Sequence, residues 1–201
     1  MPLILPFVLL GYVLGSIPTA VWYGRVFHGV DIRNHGSGNA GATNSLRILG
    51  KKAGIVVLVF DILKGVIPVL IARTLEASIE VQLTTAFFTI IGHLLPVFAH
   101  FRGGKGIATS LGVIAAVYPF GAMASLFTFL VLVYVTRYVS LGSLIGAAFF
   151  SVMVGVLQPV HTQELLIFGL SVLLLLVFTH RQNIVRLWNG TENKFGEKKA
   201  E

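Results

Sequence analysis

The chain has no cysteine, and charged residues make up only 11% of its 201 residues. Without cysteine there can be no disulfide, no thiolate metal site and no cysteine nucleophile. Soluble domains carry about 25% charged residues, whereas 55% of this chain is hydrophobic. We therefore predict an integral membrane protein. No removable signal sequence is expected, because the apolar run begins at Pro2 without a basic segment before it.

Carboxylates are scarce as well, with only 8 aspartate and glutamate residues in the whole chain. The basic loops and the C-terminal tail hold few of them, and none forms a close pair: Asp31, Glu192, Glu197 and Glu201. A Mg²⁺ site normally needs carboxylate ligands and a Ser-His-Asp triad needs an acid, so we predict no metal, no cofactor and no such triad. No histidine is followed five residues later by aspartate, so the His-x4-Asp acyltransferase signature is absent.

The apolar segments predict an all-α membrane fold with seven transmembrane helices in a single domain, residues 1–201. Most segments approach the ~20 residues that cross the hydrocarbon core. They lie at roughly 3–24, 53–72, 83–100, 107–118, 120–136, 140–158 and 163–180. Pro119-Phe120-Gly121 interrupts the uncharged stretch 107–136. We expect the helices on either side of this break to be short and shielded by their neighbours.

Basic residues set the predicted orientation. If the N-terminus is outside and there are seven spans, every lysine and arginine except Lys64 and Arg73 lies in an inner loop or the inner tail. Six spans would put the basic tail outside, against the positive-inside rule. We therefore predict an outside N-terminus and a cytoplasmic C-terminus. Attraction to anionic lipid heads is an alternative reason for the tail lysines, but it does not explain the glycine-rich loops.

One inner loop reads Arg102-Gly103-Gly104-Lys105-Gly106-Ile107-Ala108-Thr109 and lies between two apolar segments. Glycines let several backbone N–H groups turn toward one point, and the start of a helix adds positive potential. The pattern predicts a phosphate-binding loop beside the bilayer. It is not a Walker loop, because Ala99 and Gly106 occupy the positions that need glycine and a hydroxyl residue. Nucleotide hydrolysis is therefore not expected.

Another loop, which is the first polar loop along the chain, reads His35-Gly36-Ser37-Gly38-Asn39-Ala40-Gly41-Ala42-Thr43-Asn44-Ser45-Leu46-Arg47. Its glycines permit close approach to a ligand, and Thr43 or Asn44 could cap a helix that runs into Arg47. Thr43 and Arg47 would share one face of that helix. The loop is either a ligand-binding segment or an ordinary turn followed by a capped helix.

Several polar residues near the apolar segments have two interpretations each. Asp61 and Lys64, three apart inside a span, predict a buried ion pair. His93 is interpreted as a polar contact between helices rather than a base. Ser140 either caps a helix or contacts substrate. His180 and Asn183 share a helix face and form either part of a site or an interfacial pair.

Together, these motifs resemble one family, the bacterial acyl-phosphate-dependent glycerol-3-phosphate acyltransferases called PlsY. The resemblance runs from Gly15-Ser16-Ile17-Pro18 to Gly190-x-Glu192 and also includes Asp61-x-x-Lys64-Gly65 and Ser140-x-x-Ser143. The main motifs are Ser37-Gly38-Asn39-x-Gly41-Ala42-Thr43-Asn44, Gly92-His93-x-x-Pro96-Val97-Phe98, Gly103-Gly104-Lys105-Gly106-x-Ala108-Thr109 and His180-Arg181-x-Asn183-Ile184-x-Arg186-Leu187. Each motif alone is weak, but all of them in order are highly specific.

The resemblance implies transfer of a fatty acyl group from an acyl phosphate to the 1-hydroxyl of sn-glycerol 3-phosphate. The products would be lysophosphatidate and phosphate, in bacterial phospholipid synthesis. The expected location is the bacterial inner membrane, with the active site facing the cytoplasm. The expected partners are glycerol 3-phosphate, a fatty acyl phosphate and membrane lipids. No nucleic acid is expected, and a monomer would suffice.

The resemblance also suggests roles for individual residues. Recognition of the two phosphate-bearing substrates would fall to Ser37, Arg47, Lys105, His180 and Asn183, and all of these except Arg47 are the expected catalytic residues. The amides of Gly103, Gly104, Lys105 and Gly106 would help to hold the acyl phosphate. Further substrate contacts are expected from Asn39, Thr43, Asn44, Ser140 and Ser143, of which the first three would also support their loop. The proton acceptor would be either His180 or a phosphate of a bound substrate.

The main alternative is a transporter of an anionic phosphorylated metabolite. A transporter should carry polar groups to the midplane from both sides, often with broken helices. Only Asp61, Lys64 and the interrupted stretch 107–136 favour this reading, whereas the motifs gather on the predicted inner side. A non-catalytic lipid-binding scaffold would leave the polar motifs unexplained.

Overall fold

The computed structural model describes residues 4–157 and 161–196, and within these ranges the chain forms α-helices and no strand. The helices are α1 (Ile4–Gly15), α2 (Thr19–His28), α3 (Ala42–Leu49), α4 (Lys51–Thr74), α5 (Ile79–Leu94), α6 (Ile107–Val117), α7 (Pro119–Thr136), α8 (Val139–Leu157), α9 (Thr162–Thr179) and α10 (Arg181–Trp188). Short 3-10 turns occur at Ile32–Asn34 and Val97–Ala99. The predicted all-α fold is confirmed.

In the described ranges, five segments are long and apolar enough to cross a membrane. They are Ile4–His28, Lys51–Thr74, Ile79–Ala99, Pro119–Thr136 and Val139–Leu157. The helices α9 and α10 would form a sixth if they are counted as one span bent by 65°. The first span is broken at Pro18, which precedes α2 and lacks the N–H that would continue α1.

The two helices beside the Pro119 break differ from each other. Helix α6 has 11 residues and is about 16 Å long, so it is short as predicted, compared with the ~30 Å thickness of the hydrocarbon core. Helix α7 has 18 residues, and Phe127, Leu130 and Tyr134 are among its exposed side chains. The prediction that α7 is short and shielded is therefore wrong. The predicted helix end at residue 158 lies outside the described residues.

The chain divides into two compact units, Met1–Tyr118 and Pro119–Glu201. In the first unit, α1 packs along α5, and α4 packs against α3, α5 and α6. Glycine allows two of these pairs to approach closely. A Cβ on Gly15 would collide with the carbonyl of Thr89 in α5, and a Cβ on Gly65 would lie 2.5 Å from the carbonyl oxygen of Thr109 in α6. Small residues at such contacts are typical of membrane helices.

In the second unit, α8 packs against both α7 and α9. Gly142 of α8 faces α7, where an added Cβ would lie 3.0 Å from the carbonyl oxygen of Phe129. Gly169 of α9 faces the ring of buried Phe150. This unit therefore repeats the small-residue packing of the first, and it carries the bend between α9 and α10 at its end.

The close packing of α6 on α4 predicts a stability difference between two glycine substitutions. In Gly112→Ala the new Cβ would collide with the carbonyl of Ile62, so we expect a loss of about 1–3 kcal/mol from overpacking. In Gly155→Ala the nearest atom lies 3.7 Å away, and alanine favours a helix over glycine by about 0.5–1 kcal/mol. Apparent melting temperatures of the purified variants in detergent measure both effects. Equal melting temperatures would contradict the packing described for α6.

Candidate active site

The first polar loop is organised by the side chain of Asn44, which is only 1% exposed. Its Oδ1 accepts a hydrogen bond from the backbone N–H of Ser37 at 3.0 Å. Its Nδ2 donates to the carbonyls of Ile32 at 3.2 Å, His35 at 3.0 Å and Asn39 at 3.1 Å. Asn44 therefore supports the loop, which is one of the two roles expected of it.

The start of α3 differs from the sequence prediction. The helix begins at Ala42, and Gly41 takes the capping position without a side-chain bond. The prediction that Thr43 or Asn44 caps this helix is therefore wrong, since a cap precedes the first helical residue. Thr43 and Arg47 are both exposed and lie four residues apart on α3, so they share a face as predicted.

The remaining donors of this loop are accessible. Ser37 is exposed and Asn39 is half-buried. Together with Thr43 and Arg47 they present a guanidinium, two hydroxyls and an amide to the surroundings of the loop. This set of hydrogen-bond donors, with one fixed positive charge, is chemically suited to a phosphate.

The glycine-rich loop packs against the C-terminal end of α5. The N–H of Gly103 donates to the carbonyl of Leu94, and the N–H of Gly104 donates to that of His93, both at 3.2 Å. An added Cβ on either glycine would collide with His93. The structure therefore assigns these two glycines to backbone packing, and the prediction that their amides hold phosphate gains no support.

The end of the same loop leads into helix α6. Lys105 is half-buried, and Gly106 adopts φ 89°, a left-handed conformation, directly before the first turn of α6. The first N–H groups of a helix have no partner within the helix. Phosphate binding by this loop therefore stays a prediction for the Lys105 side chain and for the backbone from Gly106 onward.

A buried polar cluster lies beneath the two loops. The Lys64 Nζ atom lies 2.8 Å from Asp61 Oδ1, and it also donates to the carbonyl of Ile17 at 2.8 Å. The predicted ion pair is thus confirmed. His93 is 5% exposed, and its Nδ1 lies 3.8 Å from Asp61 Oδ1. As predicted, His93 makes a polar contact between helices, here between α5 and α4.

A cavity of about 10 Å³ adjoins this cluster, lined by Ile17, Pro18, Ala40, Lys64, His93, Pro96, Gly103 and Gly104. Such a volume holds about one water molecule. It is too small for a phosphate group. The polar cluster is therefore not itself the phosphate site. It stabilises the backbone next to the loops, at Ile17 and at the end of α5.

In the second unit, His180 lies at the bend between α9 and α10 and is 3% exposed. Its Nδ1 lies 2.8 Å from the carbonyl oxygen of Leu176 and 3.3 Å from Thr179 Oγ1. Because a carbonyl oxygen only accepts hydrogen bonds, we assign the Nδ1 proton to the neutral ring. Its Nε2 is then the nitrogen that can take up a proton.

Glu192 is a functional candidate that the sequence did not single out. Its Oε1 accepts hydrogen bonds from Ser140 Oγ at 2.8 Å and from Asn183 Nδ2 at 2.6 Å, and its Oε2 accepts one from Arg186 Nε at 2.7 Å. Its presence in the motif Gly190-x-Glu192 was the available signal. The structure thus brings Ser140 and Asn183 together on one carboxylate.

The charge of Glu192 is favoured by these partners. Burial acts to raise the pKa of Glu192, but the hydrogen bonds from Asn183, Arg186 and Ser140 outweigh it and hold the pKa below its ordinary value of 4.5. Ser143, another predicted contact, is 5% exposed and donates to the carbonyl of Val139 in its own helix. For Ser140 and Ser143, substrate contact stays a prediction.

Comparison with known proteins shows which family this arrangement belongs to. The family model for glycerol-3-phosphate acyltransferase matches residues 5–190. The chain belongs to the glycerol-3-phosphate acyltransferase family. The resemblance seen in the motifs is thereby confirmed, and the chain is an integral membrane acyltransferase.

Relatives and solved structures agree over nearly the whole length. Glycerol-3-phosphate acyltransferase of Listeria monocytogenes serotype 4a (strain HCC23) is 46% identical, over 92% of this chain and 93% of its own. Glycerol-3-phosphate acyltransferase 1 of Deinococcus radiodurans is 46% identical over 94% of both chains. A crystal structure of PlsY in its glycerol 3-phosphate form is 40% identical, with a TM-score of 0.90 over 96% of both chains. The lysophosphatidic acid form has a TM-score of 0.87, over 96% of this chain and 95% of its own, at 40% identity.

The Glu192 network predicts a pH-dependent stability difference. A lowered folded pKa means that the carboxylate stabilises the fold fully above pH 4.5 and loses that contribution as the pH falls through the lowered value. Glu192→Gln should therefore lower stability by about 1.5–3 kcal/mol at pH 6–9, the range for hydrogen bonds to charged groups. The deficit should shrink as the pH falls below 4.5.

Apparent melting temperatures between pH 3.5 and 9 measure this difference. Glu76→Gln is the matched control, because Glu76 is exposed. Its melting temperature should follow that of the unaltered protein at every pH. A Glu192→Gln deficit that persists unchanged at pH 3.5 would contradict the assignment of charge to Glu192.

Proposed function

We propose that this acyltransferase moves a fatty acyl group from an acyl phosphate to the 1-hydroxyl of sn-glycerol 3-phosphate, giving lysophosphatidate and phosphate. The observation that carries the proposal is the pair of similar crystal structures, one in a glycerol 3-phosphate form and one in a lysophosphatidic acid form. These two molecules differ by one acyl group, so they correspond to acceptor and product of such a transfer.

The donor is the finer part of the proposal. The chain has no cysteine, so a thioester intermediate on the protein is excluded. An acyl phosphate already carries a good leaving group and a second phosphate for basic loops to recognise. Transfer then needs alignment of the hydroxyl with the carbonyl and stabilisation of the developing oxyanion. A set of fixed donors without a carboxylate pair is suited to that task.

In the first unit we assign Ser37, Arg47 and Lys105 to phosphate recognition. All three are exposed or half-buried, and each presents a donor or a positive charge. Asn39 and Thr43 are accessible further contacts on the same loop. The supporting argument is that Asn44 and the backbone of α5 hold both loops in defined conformations, as a pre-organised site requires.

In the second unit we assign His180 and Asn183 to recognition of the acyl and glycerol phosphates. Glu192 orients the Asn183 amide, and the Leu176 carbonyl orients the His180 ring. Two proton acceptors remain in the proposal, His180 Nε2 and a phosphate of a bound substrate. We favour the substrate phosphate, because the leaving phosphate is a base that the reaction itself supplies.

We further propose a bacterial inner-membrane location, an outside N-terminus, a cytoplasmic C-terminus and seven spans, with α6 as the short one. The whole chain would act as one domain and as a monomer. The inner loops of this topology carry most of the basic residues, which the positive-inside rule favours. The motifs then all face the cytoplasm.

The proposed reaction is tested with purified protein, glycerol 3-phosphate and palmitoyl phosphate. We expect lysophosphatidate and an equal amount of released phosphate, and no product with palmitoyl-CoA. Lys105→Met should abolish turnover while the protein stays folded, since it removes the charge proposed to hold a reacting phosphate. No product from folded unaltered protein, or equal use of palmitoyl-CoA, would contradict the proposal. Uptake of labelled glycerol 3-phosphate into sealed vesicles without acylation would instead favour a transporter.

His180→Gln distinguishes the two proton acceptors. A general base contributes about 10²–10⁴-fold to the rate, so its loss should be visible in kcat. If the substrate phosphate accepts the proton, kcat at saturating substrate should stay within about tenfold of the unaltered protein, while KM for glycerol 3-phosphate rises. A fall in kcat of a hundredfold or more, with unchanged folding, would assign the proton to His180.

A further inference from the structure

Arg33 connects the segments that lead into the two polar loops of the first unit. Before the first polar loop, its Nε donates to Asp31 Oδ1 at 2.9 Å and its Nη2 donates to Asp31 Oδ2 at 2.6 Å. Before the glycine-rich loop, its Nη1 donates to the carbonyl of Ala99 at 2.7 Å, and it lies 3.5 Å from the carbonyl oxygen of Arg102, where that loop begins. The side chain is only 10% exposed. This contact joins segments 66 positions apart in the sequence.

The segment before the glycine-rich loop, to which Arg33 donates a hydrogen bond, has an unusual backbone. Ala99 is followed by His100 and Phe101, which both adopt left-handed conformations with φ 55° and φ 57°. Non-glycine residues in this region cost energy and persist only where surrounding contacts fix them. Gly103 and Gly104 follow after Arg102, and their N–H groups donate to carbonyls at the end of α5. The Ala99 carbonyl is therefore the point at which an outside group can fix the base of the loop.

Asp31, the partner of Arg33 before the first polar loop, is also held in a defined position. Asp31 caps the 3-10 turn Ile32–Asn34 by accepting the backbone N–H of Arg33 at 3.1 Å. Ser37 follows Arg33 by four residues. One side chain thus connects the segment that leads to Ser37 with the segment that leads to Lys105.

We propose that Arg33 is a positioning residue for acyl transfer, which keeps the glycine-rich loop aligned with the first polar loop. This proposal rests on the proposed function for its effect on turnover. Its physical basis is alignment: a misplacement of about 1 Å in reacting groups can cost about 10²-fold in rate. Arg33 itself contacts backbone and Asp31, so it acts through the loops.

The geometry requires arginine. The planar guanidinium gives Asp31 a two-point contact and still has a third nitrogen for the Ala99 carbonyl. A lysine could keep the ion pair, but its single ammonium group cannot reproduce that fork. The hydrogen bonds from Arg33 also hold the pKa of Asp31 well below its usual range. The pair therefore stays ionised at any pH used for an assay.

Arg25 provides a matched control. It also donates to Asp31, from Nη2 to Oδ2 at 2.9 Å, but its side chain is 59% exposed. Its contact joins α2 to Asp31, six positions further along the chain. Arg25→Lys therefore replaces an arginine that donates to the same carboxylate, and it leaves the hydrogen bond from Arg33 to Ala99 in place.

The test compares Arg33→Lys, Arg33→Gln and Arg25→Lys as purified folded protein. Both Arg33 variants should lower kcat/KM for glycerol 3-phosphate about 10–100-fold, with kcat lowered in the folded fraction, and Arg25→Lys should stay within about twofold. Hydrogen–deuterium exchange of the segment 98–105 should be faster in both Arg33 variants than in Arg25→Lys. Asp31→Asn, which keeps the Ala99 contact but weakens its anchor, should give an intermediate effect on both measurements.

Each outcome is decisive. Arg33→Lys with the turnover of Arg25→Lys would overturn the proposal, because charge alone would then suffice. Faster exchange without loss of kcat would reduce Arg33 to a structural residue and overturn it as well. If the unaltered protein makes no lysophosphatidate, the proposed function fails, and the role in catalysis falls with it. If the hydrogen–deuterium exchange of the segment 98–105 is then also unchanged in the Arg33 variants, the proposed link between the two loops is wrong as well.

Discussion

The buried ion pair between Asp61 and Lys64 is the interaction on which the first unit depends. A charge inside a membrane helix is costly unless it has a partner, and here the ammonium group also donates to a backbone carbonyl outside the helices. That carbonyl belongs to Ile17, where the chain is broken between α1 and α2. Irregular backbone at membrane depth is stable only when protein groups satisfy it. The ion pair therefore stabilises the break between α1 and α2. Beside the pair, the backbone carbonyl of His93 accepts a hydrogen bond from the N–H of Gly104 in the glycine-rich loop.

Polar contacts also fix the two loops of the first unit. Asn44 uses its whole amide on the backbone of the first loop, and Gly103 and Gly104 donate their amides to α5. In the proposed site, phosphate recognition depends on side chains such as Lys105. Such a site is pre-organised by its backbone contacts, while side chains supply the charge and the donors. That division suits a reaction whose leaving group needs little activation.

Local patterns were enough to predict the helices and several site features. Apolar length located most of the helical segments, although the predicted segment 3–24 is divided into α1 and α2, and a spacing of three inside a span predicted the Asp61–Lys64 pair. Contacts distant in sequence were beyond such patterns. The acceptors of the Gly103 and Gly104 amides depend on how the loop folds back onto α5. The three donors to Glu192 come from two helices, so no spacing in one segment reveals them.

The Glu192 network also makes the last part of the chain a structural component of the second unit. Glu192 follows α10, and the backbone N–H of Phe195 donates to the carbonyl of Arg137 at 2.7 Å. A product truncated shortly before Glu192 would keep every membrane helix yet leave the polar groups of Ser140, Asn183 and Arg186 without their shared acceptor. The network can therefore close only after synthesis has passed Glu192, when α8 and α10, which carry its donors, have already been made.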